Sequence, residues 1–234
     1  MARNSFEIVM WRAPQAAADT AWAQRVAGVL GALEAHAGVE RFVRYDERRV
    51  AHEVATDEEA VLAFLRSHPT SRDDAGVPHP EVGIETTLIG LGDGESLWCQ
   101  AEIHVGDERS KNNLSVDFYE HVGPQAPFEA FPACVSAFSP MWASVTSLCN
   151  RRQRRDEGDA PPISAQLHWR TYLGPGRAGE IDPAAVAGRE DVLVRPLHKG
   201  VEVILGERWE SDEVLRQRQR ELEPLLLGER TPAR

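Results

Sequence analysis

Cys99, Glu102 and His104 lie close together and carry the atom types of a metal site. On an extended chain they do not converge, because successive side chains point to opposite faces. Cys99 then faces away from Glu102 and His104, and two ligands do not make a centre. A solvated sheet face is the expected role, so neither a metal nor a cofactor is expected. Other catalytic patterns fare no better. Gly90-Leu91-Gly92-Asp93-Gly94 lacks the following helix and the Lys-Ser/Thr of a phosphate loop. There is no Gly-x-Ser-x-Gly elbow and no His-Glu-x-x-His. Asp73-Asp74 and Asp107-Glu108 are paired acids, but both sit in turn-like sequence, where acids serve solvation and capping. Arg151 to Arg155 has no interleaved aromatics and reads as a solvated loop. No enzyme activity is expected.

The stretch around those residues, Val82 to Phe118, organises the rest. From Leu97 to Val105 the alternation is strict. Leu97, Cys99, Ala101, Ile103 and Val105 are expected in the core, with Trp98, Gln100, Glu102 and His104 on a wet face. Gly92-Asp93-Gly94 suits a hairpin with positive φ. A three-strand antiparallel meander follows, one face dry and one wet. An exposed Trp98 there requires either a partner or a covering helix.

Around the meander, Phe6–Trp11 reads as a first strand, followed by a helix with Pro14 in its first turn. Trp22, Val26, Val29, Leu30 and Leu33 give that helix one apolar stripe, and Gly38 is placed to end it. A short strand is expected at Arg41–Tyr45. Thr56-Asp57-Glu58-Glu59 has the form of a capping box for a short second helix. Pro127 opens another helix, lined by Phe128, Phe131, Val135 and Phe138, and Pro140 stops it. Strands are expected at Met141–Ser147, Asp191–Val194 and Val201–Leu205. Ser211 caps a last helix that Pro224 kinks or ends. The fold class is α+β, one domain over residues 1–234, with an internal loop at 151–162 and a mobile tail from Gly228.

The formal net charge is −11, from 26 basic and 37 acidic residues, which argues against nucleic acid as a partner. From Ser71 to Phe131 twelve acids face three bases, a net −9 that accounts for most of the total. Such a surface is either a solvated face or a dock for a basic protein. Three cysteines in no close pairing imply a reducing compartment. With no signal-peptide core and no apolar run near a membrane span, a cytoplasmic protein is expected.

Trp169-x-x-Tyr172-Leu173 follows the Arg-rich loop, and on physical grounds it is a core anchor. Together with Trp11 before the long helix, Arg72-Asp73-Asp74 before the meander, and Pro140-Met141-Trp142-Ala143-Ser144-Val145-Thr146-Ser147, it resembles the immunity protein 52 family of bacterial polymorphic toxin systems. The resemblance spans most of the chain. It implies a protein without catalysis that binds and neutralises a cognate toxin, a restriction-endonuclease-like nuclease effector of the kind that type VI secretion delivers. Partner-binding candidates are then Trp98 first, with Glu102 and His104 beside it, and Asp93, Glu95, Asp107 and Glu108 at the turns. The rival readings are a homo-oligomeric adaptor using the same face and a metal-dependent enzyme using Glu102 and His104.

Overall fold

The computed structural model describes residues 6–12, 19–67, 77, 83–107, 112–138, 145–150 and 167–227. Among these described residues ten strands form one sheet, β1 (Phe6–Arg12), β2 (Arg41–Tyr45), β3 (Ala51–Val54), β4 (Ile84–Gly92), β5 (Ser96–Val105), β6 (Asn112–Phe118), β7 (Val145–Asn150), β8 (Arg170–Leu173), β9 (Leu193–Leu197) and β10 (Gly200–Ile204). Their order is β3-β2-β4-β5-β6-β1-β7-β8-β10-β9. All neighbours are antiparallel. The described helices are α1 (Asp19–His36), α2 (Glu58–Arg66), α3 (Gln125–Phe138) and α4 (Asp212–Leu227). This is the expected α+β class, with the meander β4-β5-β6 intact inside a longer sheet.

The apolar stripe of α1 does what its spacing demands. Trp22, Val26, Val29, Leu30 and Leu33 are all buried, and α1 packs against α2 and α3. Beneath the helices lies the sheet face carrying Ile8, Met10, Leu88, Ala101, Ile103, Leu114 and Val116, each fully buried. Each of these side chains except that of Ala101 contributes about 1.5–3 kcal/mol when removed from water. Gly38 adopts φ +76 after α1, the left-handed turn that releases the chain toward β2.

The second face is divided. The register sets Thr87, Glu102, Ser115, Val9, Ser147, Thr171 and Val203 in one row across seven strands. From Ser115 to Val203 every member of that row is buried, while Thr87 and Glu102 are exposed. The expectation of one dry and one wet face therefore holds for Glu85 and Thr87 of β4 and Glu102 of β5, but not for Leu91 at the end of β4 nor for β6, whose Ser115 and Asp117 are also buried.

Other boundaries moved for local reasons. Asp57 rather than Thr56 caps α2, accepting from the Ala60 N–H at 2.9 Å. Thr56 instead donates its hydroxyl to Glu34 on α1 at 2.7 Å. Helix α3 begins two residues before Pro127, which the free N–H positions of a first turn allow. Pro224 lies inside α4 without ending it, and Ser211 caps that helix as expected, accepting from the Val214 N–H at 3.2 Å. Strand β7 covers Val145–Asn150, the expected start at Met141 lying outside the described residues, and β9 runs to Leu197. Pro14, Pro140, the 151–162 loop and the tail from Gly228 fall outside the described residues. No described helix is long and apolar enough to cross a membrane.

Under α3 the sheet buries an ion pair. Arg170 on β8 and Glu202 on β10 are 3% and 0% exposed. Arg170 donates from Nε to Glu202 at 2.8 Å and from Nη1 to the Phe128 carbonyl at 2.6 Å. The second oxygen of Glu202 accepts from Arg195 Nε at 2.8 Å. The Arg170 guanidinium stacks 4.5 Å from the Phe128 ring centre and 4.9 Å from that of Phe131. Burial lowers the Arg170 pKa and the Glu202 charge opposes that shift.

Candidate protein-binding face

The strict alternation of β5 is broken by one residue. Gly90 pairs with Cys99 but Leu91 pairs with Leu97, so Trp98 is the extra residue of a β-bulge. The bulge brings Trp98 onto the same side as Cys99. A Cβ on Gly92 would lie 2.6 Å from Trp98 Cε3, and one on Gly90 would lie 2.6 Å from Cys99 Sγ. Trp98 is thus tucked under the end of α1, where its indole N–H donates to the Ala37 carbonyl and its ring rests on Gly38. His121 meets that ring edge-on, centres 5.6 Å apart. The chain just past the end of α1 covers this half-buried tryptophan, and its placement on the wet face is corrected. The same slip overturns the core assignment of Leu97, which is 44% exposed on the other side.

Glycine is required where the ring comes closest. Gly92→Val would drive a branched side chain into an indole held by a hydrogen bond and by Gly38. The expected cost is about 1–3 kcal/mol, the usual range for overpacking. A lowered urea midpoint with altered Trp fluorescence is the expected observation. An unchanged midpoint would show that Trp98 is free to move away.

The remaining candidates separate by environment. Glu102 is exposed and accepts from Gln100 Nε2 at 2.9 Å. Its register partner Thr87 is exposed too, as is Glu85 opposite His104. His104 is partly covered, with Nε2 3.2 Å from the Asp107 carboxylate. Asp107 is only 3% exposed. Asn112 brackets its backbone, accepting from the Asp107 N–H at 2.9 Å and donating to its carbonyl at 3.0 Å. Asp107 is therefore a buried turn residue, which corrects its expected place among the partner-binding acids at the turns. Glu108 lies outside the described residues. Asp93 is exposed in the β4–β5 turn. Glu95 has φ 65 in that turn and is ion-paired with Arg41 on β2. Arg41 also lies 3.8 Å from Glu53 on β3.

Long-range pairing adds residues that local sequence could not supply. Arg41 pairs with Leu91 and Val43 with Ile89, so β2 continues the β4–β5 face. Two residues beyond Val43, Tyr45 stands on that face at 46% exposure. Val43 and Leu91 are each 3% exposed and form an apolar floor between Tyr45 and Leu97. Glu53, opposite Val43 on β3, and Glu85 edge it with carboxylates. Only the bulge and the β2–β4 pairing bring these side chains together.

Among the described residues no group of three or more His, Cys, Asp or Glu side chains is arranged to hold a metal ion. Cys99, Cys134 and Cys149 are free and buried. Burial pushes the Cys99 and Cys134 thiols up to about 12, far from the range of a reactive nucleophile.

No family model matches the chain, and no curated protein matches it by sequence. Its fold is similar to that of a solved structure, the Pseudomonas aeruginosa type VI secretion system (T6SS) protein PA0821. The TM-score is 0.54 at 8% sequence identity, with 93% of this chain and 73% of that one covered. That likeness establishes a shared α+β architecture.

Proposed function

We propose that this protein is an immunity protein, which binds a cognate bacterial toxin in the cytoplasm and blocks it stoichiometrically without catalysis. The observation that carries the reading is the fold shared over 93% of the chain with a protein named for type VI secretion. That system delivers toxins between cells, and a producing cell needs a protector for each. The sequence resemblance to the immunity protein 52 family narrows the proposal to that family and to a nuclease effector. Charge supports it independently. A nuclease carries a cationic surface to hold phosphates, and the open half of this sheet is acidic. The test is inhibition in vitro by the toxin domain encoded beside this gene. DNA cleavage by that domain should stop at a one-to-one ratio with this protein. Undiminished cleavage at tenfold excess would refute the reading.

Exposed Leu97 and Tyr45 also suit a homo-oligomeric adaptor. That alternative predicts a dimer in light scattering that Leu97→Asp dissociates.

A further inference from the structure

We infer that the open half of the second sheet face, β3-β2-β4-β5, docks the basic surface of the toxin, through an apolar centre at Tyr45, Ile89 and Leu97 within a rim of Glu53, Glu85 and Glu102. The inference rests on the immunity reading and specifies its interface. It replaces Trp98, which the fold itself uses, with Leu97.

Three observations carry it. First, among the described residues the second face is largely buried from β6 through β10, whereas β4 and β5 expose Glu85, Thr87, Leu97 and Glu102 on it. Second, Tyr45, Val50 and Leu97, half of the large apolar side chains exposed among the described residues, lie on this face or at its β2–β3 hairpin. An apolar centre floored by buried Val43 and Leu91 and ringed by charge has the anatomy of a specific protein interface. Third, the charge on the four strands is mainly acidic, while Arg48 and Arg49 are exposed at the β2–β3 hairpin beside Val50. Arg41 is the one described guanidinium borne on this face of the four strands, and it is neutralised within the face by Glu95 and Glu53. Glu85, Asp93 and Glu102 remain exposed to meet a cationic partner. Strands about 4.8 Å apart make a platform roughly 15–20 Å wide. That is enough for the centre of an interface that takes about 800 Å² from each partner. The Asp93–Glu95 turn extends its edge.

The probe is the C-terminal domain encoded by the adjacent gene, inactivated for handling, with affinity and on-rate measured at low and high salt. Two variants change the face alone: Leu97→Asp with Tyr45→Ala, and Glu85→Arg with Glu102→Arg. Both pairs are exposed, and the charge pair keeps the test valid if the apolar pair loses its fold. The expected result is at least a hundredfold weaker binding for the apolar pair. For the charge pair, the on-rate should fall about tenfold or more and lose its salt dependence. Leu193→Asp, exposed on β9 at the far edge, should bind as wild type does. Wild-type affinity in both face variants would overturn the assignment and leave the immunity function standing. No binding by the wild type would overturn both. A wild-type dimer that Leu97→Asp dissociates would show that a second copy occupies the face, which also overturns it.

Discussion

Glu202→Ala should lower the melting temperature by about 10 °C. The carboxylate is completely buried and accepts from both Arg170 and Arg195. Removing it leaves the Arg170 guanidinium under α3 with only the Phe128 carbonyl and two aromatic rings. Breaking a buried pair at one end costs about 3–5 kcal/mol, because the surviving charge is uncompensated. For a chain of this size each kcal/mol moves the midpoint by about 2–4 °C. The double variant Arg170→Met with Glu202→Leu should recover most of the loss, since the pair's own net worth against apolar residues is small. Calorimetry of both variants decides the matter. A single variant that melts within 2 °C of wild type would mean that water or backbone groups already compensate Arg170.

Trp169→Ala should be of similar size, about 3–5 kcal/mol, as for large aromatics removed from a core. Trp169 is 2% exposed. It joins Phe6 of β1, Phe128 of α3 and Trp209 before α4, with ring centres 5.9, 4.7 and 5.3 Å away. Its indole N–H donates to the Gly206 carbonyl at 3.2 Å, and its own carbonyl accepts from Leu205. The cluster therefore binds the first strand and α3 to the C-terminal part of the chain. Urea unfolding should show one transition at lower midpoint. An unchanged midpoint would show that the two parts hold together without it.

These two sites also show what was legible in the sequence. Trp169 and Tyr172, three apart before a Gly-Pro turn, were readable as an anchor, and both are buried. The helical spacing of α1 and the alternation of Ala101, Ile103 and Val105 were equally plain, because each reflects a local period imposed by burial. Arg170 was not readable as a buried ion. Its partner lies 32 residues away on another strand, and a lone Arg looks like surface. The candidate face failed at one residue. Alternation put Trp98 outside and Leu97 inside, and a single bulged residue exchanged them. The sequence carries a trace of this in Gly90 and Gly92, two glycines spaced by two within a strand, where a close approach is a standing possibility. Glu102, Asp93 and Glu95 were found from charge. Tyr45, Glu53 and Ile89 were not, because only the pairing of β2 with β4 makes them neighbours.

Survival tests the central claim most directly. The toxin domain encoded by the adjacent gene would be induced in cells with and without this chain, with plating efficiency and recovery of the complex measured together. Immunity predicts restored plating and a co-purifying complex, and the face assignment predicts loss of both on Leu97→Asp with Tyr45→Ala. Undiminished killing in the presence of the well-folded wild-type chain, with no complex recovered, would contradict it.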